Sequence, residues 1–263
     1  NGRDVGGAGD PGYGSPFWEQ ALADGIISFR ENIGAYRSQY LDSFNGKILR
    51  LDPATGNGLP SNPHYNPANA RSARSRVFAR GLRNPYRMSI RPGTGSTNPA
   101  NANPGSLYIG DVGWNRYEEL HIMNRPDQNF GWPYYEGISF VEGRSEFYPI
   151  PPDKIIDPGD STKNSYYNLL PNPDDTLTLF SKPAIAIGHQ LQGVSYVQHG
   201  KQLYLPALDL PYSNISVGSN AIIDGGFTTY SNNLPAEYQN KYFFGDYVRE
   251  WIAYVDFDLE DQP

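Results

Sequence analysis

Apolar residues in this chain come in short runs that alternate with polar ones, and helical spacing is scarce. One short amphipathic helix is predicted from Pro16 to Leu22, with Ser15 as N-cap and Pro16 at the first helical position. Lys47 to Asp52 (KILRLD) alternates polar and apolar residues, which predicts a half-buried strand ended by Pro53. Between Asn62 and Asn101, Asn-Pro pairs and an Asn/Ala stretch surround one ordered motif, VFARGLRNPYRMSIRP (Val77–Pro92). SLYIGDVGWNRYEELHIM (Ser106–Met123) predicts two strands around a tight centre and leads to the aromatic loop NFGWPYYEG (Asn129–Gly137). AIAIGH, GVSYVQHGKQLYLPAL, NAIIDGGFTTYS and NKYFFGDYVREWIAYVDFD predict the later strands and hairpins. Two regions lack such order: a Gly-rich loop region over 1–45, and 138–180, whose Pro-rich patches and missing period mark an expected insertion.

The pattern also repeats. SLYIGDVGWNRYEELHIM and KYFFGDYVREWIAYVDFD share the order aromatic, apolar, Gly-Asp, polar turn, apolar strand, with Asp111 and Asp246 at the same place in each. Repeated small sheets with a fixed Gly-Asp at one strand end read as propeller blades. Two ordinary hairpins with similar turns are the rival reading. The expected class is all-β, in one domain over 1–263.

Composition narrows this further. Gly 28 and Pro 23 are too many for long helices, and 14% aromatic residues are too many for a disordered chain. With 21 Lys+Arg against 28 Asp+Glu the net charge is -7, so nucleic acid is not an expected partner, although arginines cluster between Arg71 and Arg91. Cysteine is absent, which excludes disulfides, thiolate metal sites and cysteine nucleophiles. No apolar run approaches ~18 residues, so no transmembrane helix is expected. The chain starts at Asn1 without a Met and ends at Pro263, and both ends read as cut.

Five motifs in order carry a resemblance: GLRNPYR (Gly81–Arg87), GDVGWNRYEEL (Gly110–Leu120), NFGWPYYEG (Asn129–Gly137), AIIDGGFTTY (Ala221–Tyr230) and KYFFGDYVREWIAYVDFD (Lys241–Asp258). Together they resemble the glucose/sorbosone dehydrogenase family, with GKILRLDP (Gly46–Pro53) as a weaker sixth. The resemblance implies a six-bladed β-propeller, of which this chain is a fragment of about four blades with a long insertion. It also implies pyrroloquinoline quinone (PQQ) and calcium as cofactors, oxidation of aldose sugars at the anomeric carbon, and a periplasmic or secreted protein. A cytochrome or a quinone would be the electron acceptor. Hedgehog-interacting-type propellers share the same motifs, so a non-catalytic propeller binding a protein or glycan partner stands as the alternative.

The same resemblance suggests site residues. PQQ carries three carboxylates, which guanidinium forks bind well. Arg83 and Asn84, just before Pro85, are the expected cofactor contacts, with Arg249 in the equivalent strand-end position of the last hairpin. The plain alternatives are a blade ion pair for Arg83 and an exposed hairpin arginine for Arg249. Calcium takes oxygen ligands. Gly113 and Trp114 fall where the family offers carbonyls to the ion, and Glu118 takes the place of an acidic ligand. Glu118–Glu119 as a solvated pair on a strand end is the other reading. The aromatics of Gly131–Tyr135 either face a sugar or the quinone, or pack between blades.

The family's catalytic histidine is expected upstream of Asn1. None of His64, His121, His189 and His199 matches its motif. His121 reads as structural, and His189, after an apolar strand in GHQLQG, is the nearest local substitute for a base. No catalytic residue is assigned. There is no P-loop, dinucleotide fingerprint, nucleophile elbow or HExxH. The Asp174–Asp175 pair and the Asn214-Ile-Ser216 sequon are weak signals.

Overall fold

Short β-branched and aromatic runs separated by Gly, Pro and Asn fold here as a series of antiparallel hairpins. The computed structural model describes residues 18–26, 34–114, 116–133, 135–141, 144–147, 180–189, 194–198, 201–205, 218–228, 233–258 and 261. The expected helix cap at Ser15, Tyr134, His199, the Asp174–Asp175 pair, the sequon and 148–179 of the expected insertion lie outside these residues. The chain divides into two compact units: residues 1–83, 127–135 and 147–181, and residues 84–126, 136–146 and 182–263.

In the first unit, helix α1 (Trp18–Ala23) overlaps the helix expected from Pro16 to Leu22. Strand β1 (Lys47–Leu49) pairs antiparallel with β2 (Val77–Arg80), whose Val77, Phe78 and Ala79 are fully buried. Burial in KILRLD does not follow its alternation: Lys47 and Ile48 are both buried, while Leu49 and Leu51 are exposed, at 36% and 39%. The pairing skips Phe78 of β2 between Ile48 and Leu49. Arg50 instead lies over the Phe78 ring, 5.4 Å from its centroid. Lys47 is buried, its Nζ donating to the carbonyls of Arg37, Ser38 and Asn45 at 2.7 Å each. Burial and the nearby Arg80 push this amine down to about 6.

The second unit holds the longer sheets. One has the order β10-β9-β8-β5-β4-β3, all antiparallel: β3 (Pro85–Ile90), β4 (Leu107–Asp111), β5 (Tyr117–Met123), β8 (Ile185–Gly188), β9 (Val194–Gln198) and β10 (Lys201–Leu205). Strand β8 carries β5 on one edge and β9 on the other, so two hairpin systems that a blade reading would separate share one ladder. The other sheet is β11 (Ile222–Phe227), β12 (Tyr242–Asp246) and β13 (Trp251–Val255). A hairpin of β6 (Tyr135–Val141) and β7 (Arg144–Phe147) occupies the start of the expected insertion. Tyr108, Leu120, Ile185, Ile187, Ile222, Tyr242, Phe244 and Phe257 form one core between the two larger sheets. Tyr108 lies 4.9 Å from Tyr242 and 4.8 Å from Phe227, ring to ring.

The Gly-Asp echo is a repeated device. At the end of β4, Asp111 Oδ1 accepts the Asn84 N–H at 2.6 Å, and Val112 N–H donates to Asn84 O at 3.1 Å. At the end of β12, Asp246 Oδ2 accepts from the N–H groups of Asn220 and Ala221 at 2.7 Å, and Tyr247 N–H donates to Ala221 O at 3.0 Å. In both places the aspartate clasps the chain as it enters the neighbouring strand. Asp246 also accepts from Ser219 Oγ at 2.5 Å and Arg249 N–H at 2.6 Å. Burial alone would raise its carboxyl, but these donors together hold it below the usual range. Replacing Asp246 with alanine strands four donors, and the expected loss is about 2–3 kcal/mol, read as a lower urea midpoint.

Candidate functional site

The second unit gathers several of the expected residues around Glu118. Residues Glu118 and Glu119 follow each other on β5, so their side chains leave opposite faces of the sheet. Neither is solvated: Glu118 is fully buried and Glu119 nearly so. Glu118 Oε2 accepts the N–H groups of Gly113 at 3.2 Å and Ile222 at 3.0 Å, the second bond joining β5 to β11. Its Oε1 meets His189 Nε2 at 2.7 Å. His189 follows β8, with its N–H on Arg116 O at 2.8 Å.

Arg249 reaches the same place from the β12–β13 turn. Its Nε donates to Asn220 Oδ1 at 2.6 Å and its Nη2 to His189 O at 3.3 Å. Its guanidinium is exposed, and no carboxylate among the described residues pairs with it. A Cβ on Gly218 would come 3.1 Å from His189 O and 3.7 Å from Arg249 Nη2, so glycine there leaves room for the pair.

The loop after β4 is held from below by Glu136, which is fully buried on β6. Its Oε1 accepts the N–H groups of Trp114 at 2.8 Å, Arg116 at 3.0 Å and Tyr117 at 3.1 Å. Gly113 has to be glycine: a Cβ would stand 1.5 Å from Tyr117 O. Glu118 and Glu136 thus hold the backbone of this loop at Gly113, Trp114, Arg116 and Tyr117.

Asn84 presents an exposed side chain, while its backbone is fixed on both sides by Asp111 and Val112. Arg83 belongs to the first unit, where its guanidinium lies 5.7 Å from the Trp132 ring centroid. That ring is 4% exposed, and the aromatic loop is bound to the GLR motif by Phe130 N–H to Arg80 O and Trp132 N–H to Gly81 O, both at 2.9 Å. Ser38 Oγ and Gln39 Nε2 donate to Trp132 O at 2.6 and 2.5 Å. Trp132 is therefore a packing residue and offers no open face to a sugar.

One cluster was not foreseen. Asp111, Glu119 and His121 are all buried, with ligand atoms within 4.8 Å of one another. Asp111 and Glu119 are cross-strand partners on β4 and β5, and His121 lies two residues beyond Glu119 on the same face. The E-x-H alternation was visible in sequence, but the pairing register that adds Asp111 was not. Burial pushes the His121 imidazole down to about 4, against the opposing pull of Asp111. The unfolded chain then takes up this proton first as the pH falls, so stability present above the unfolded value of 6.5 is lost toward 4. The full loss is roughly 3 kcal/mol. His121→Gln should flatten that part of the stability–pH curve, read by urea titrations at about pH 7 and about pH 4.5.

The cofactors implied by the sequence can be set against these residues. Arg249 and Asn84 fit a polyanionic quinone: one is a fixed cation with no carboxylate partner among the described residues, the other an exposed amide. Glu118 does not fit the acidic calcium ligand it was expected to be, because both its oxygens already accept hydrogen bonds in a site closed to solvent. The Asp111–Glu119–His121 set includes an imidazole, which a calcium site does not favour.

Comparison with known proteins agrees with the motifs. Residues 24–147 match the glucose/sorbosone dehydrogenase family. The matched segment is just under half of the chain and contains GLRNP, GDVGW and NFGWP, while Arg249 lies beyond it. Among solved structures, the chain is similar to a glucose dehydrogenase at 17% identity and TM-score 0.50, covering 89% of this chain and 47% of that one. It is also similar to the apo form of the soluble aldose sugar dehydrogenase of Escherichia coli, at 18% identity and TM-score 0.49, covering 88% and 47%. A third match, at 16% identity and TM-score 0.34, is the PQQ-bound aldose sugar dehydrogenase of Streptomyces coelicolor, covering 82% and 50%. The likeness to the first of these gives the fold class, an all-β propeller, and the chain spans about half the length of the solved structures it matches.

Proposed function

We propose that the whole protein is an exported sugar dehydrogenase that oxidises an aldose at its anomeric carbon with PQQ and calcium. The observation that carries this reading is the Arg249 guanidinium, oriented by Asn220 and the His189 carbonyl and offered outward without a carboxylate counterpart among the described residues. It stands in the same unit as Asn84 and the Gly113–Trp114 loop, within a chain that matches a sugar-dehydrogenase family.

When bound, PQQ supplies the two-electron acceptor. This chain's own residues bind and orient. Arg249 would take a carboxylate, Asn84 would add an amide, and the carbonyls of Gly113 and Trp114 would receive the calcium ion. Glu118 and Glu136 fix the backbone that carries those carbonyls. We assign the base for the anomeric hydroxyl to none of this chain's four histidines. The electron acceptor beyond the quinone is a cytochrome or a free quinone.

The test is dye reduction by the full-length protein with PQQ, calcium and a panel of aldoses. Turnover that requires both additions is the expected result. Absence of turnover together with absence of PQQ binding would leave a propeller that binds a protein or glycan partner.

A further inference from the structure

We infer that His189 is a substrate contact of this site, presenting its Nδ1 to a hydroxyl of the bound aldose, with Glu118 as the residue that positions it. The inference rests on the sugar-dehydrogenase reading and adds to it a residue outside the family motifs.

Three donors converge on Glu118: the amides of Gly113 and Ile222 and the imidazole of His189. An ionised carboxylate only accepts, so the 2.7 Å contact places the His189 proton on Nε2. In the neutral ring the lone pair then belongs to Nδ1. That atom has no partner among the described residues, and the side chain keeps 14% exposure although Glu118 behind it has none. The ring is therefore anchored on its inner edge and open on its outer one.

The main chain fixes it further. His189 N–H is held by Arg116 O, and its carbonyl by the Arg249 guanidinium. A fixed acceptor thus stands beside a fixed multi-proton donor. Sugar hydroxyls both give and take hydrogen bonds, and a site that recognises them needs both kinds of partner held in place beforehand. If His189 served the fold alone, its Nε2 bond to Glu118 would be the whole of its role. The two edges of the ring can be separated by substitution.

Glutamine reaches the Nε2 position and can donate to Glu118, but leaves nothing at Nδ1. Asparagine puts an amide oxygen near Nδ1 and gives up the bond to Glu118. In full-length protein loaded with PQQ and calcium, His189→Gln should keep the wild-type urea midpoint and raise the aldose KM about tenfold, with kcat changed less. His189→Asn should be less stable yet recover part of the KM. Calorimetric titration of the quinone-free protein with the same aldose should show the same ranking, independently of turnover. The reverse ranking, with Gln binding sugar like wild type and Asn losing it, overturns the contact and leaves His189 a structural residue. A wild-type protein that neither binds PQQ nor oxidises any aldose overturns the dehydrogenase reading, and the inference with it.

Discussion

Glu136→Ala is expected to cost the second unit on the order of 3 kcal/mol or more, a large effect for one side chain in a strand so close to the expected insertion. The carboxylate is fully buried, and one oxygen accepts three turn amides, those of Trp114, Arg116 and Tyr117. Removing it strands all three, and a buried or half-buried donor without a partner costs about 1–3 kcal/mol. Water reaches the exposed Arg116 more easily than its neighbours, which keeps the total below the simple sum. Glu136→Gln retains an acceptor oxygen without the charge and should lose about half as much. A functional loss should accompany the structural one. The Trp114 N–H held by Glu136 shares a peptide plane with the Gly113 carbonyl, so the alanine variant of the full-length protein should need markedly more calcium to reach half-maximal PQQ binding. Wild-type calcium dependence in a destabilised Glu136→Ala protein would detach the loop from the ion site.

Arg249→Ala should lower PQQ affinity in the full-length protein by roughly ten- to a hundredfold, the usual consequence of losing a charge-assisted bond worth about 1.5–3 kcal/mol. Its fold should be unaffected, because the side chain is exposed and the clasp at this turn uses the Arg249 backbone N–H on Asp246. Lysine keeps the charge but not the fork that reaches Asn220 and the His189 carbonyl together, so Arg249→Lys should restore only part of the loss. Arg83→Ala should instead lose the stacking on Trp132 within the first unit, so only this variant should unfold earlier. Unchanged PQQ affinity in Arg249→Ala would return that residue to an exposed hairpin arginine. The two arginines are separable in this way even though both were expected on the same chemical ground.

The sequence by itself determined the fold class and the repeated strand-end device. Alternation and turn residues act within a few positions of one another, so SLYIGDVGWNRYEELHIM and KYFFGDYVREWIAYVDFD announce their hairpins without help from the rest of the chain. The tight turn around Gly113 was legible for the same reason, whereas the Asp246 clasp closes on Asn220 and Ala221, 26 and 25 positions away. What only the tertiary structure decided is which polar groups lie inside. Glu118 read equally well as an ion ligand or as a solvated strand end, and it is neither, because β11 and the residue after β8 bring it two donors from 104 and 71 positions away. Lys47 lies buried where a surface lysine would be expected, because the carbonyls of Arg37, Ser38 and Asn45 close around its amine. His189 shows nothing in its own neighbourhood of the carboxylate it meets or of the arginine that holds its carbonyl. Burial and long-range pairing are properties of the assembled sheets, and a linear pattern carries them only where the partners are also close along the chain.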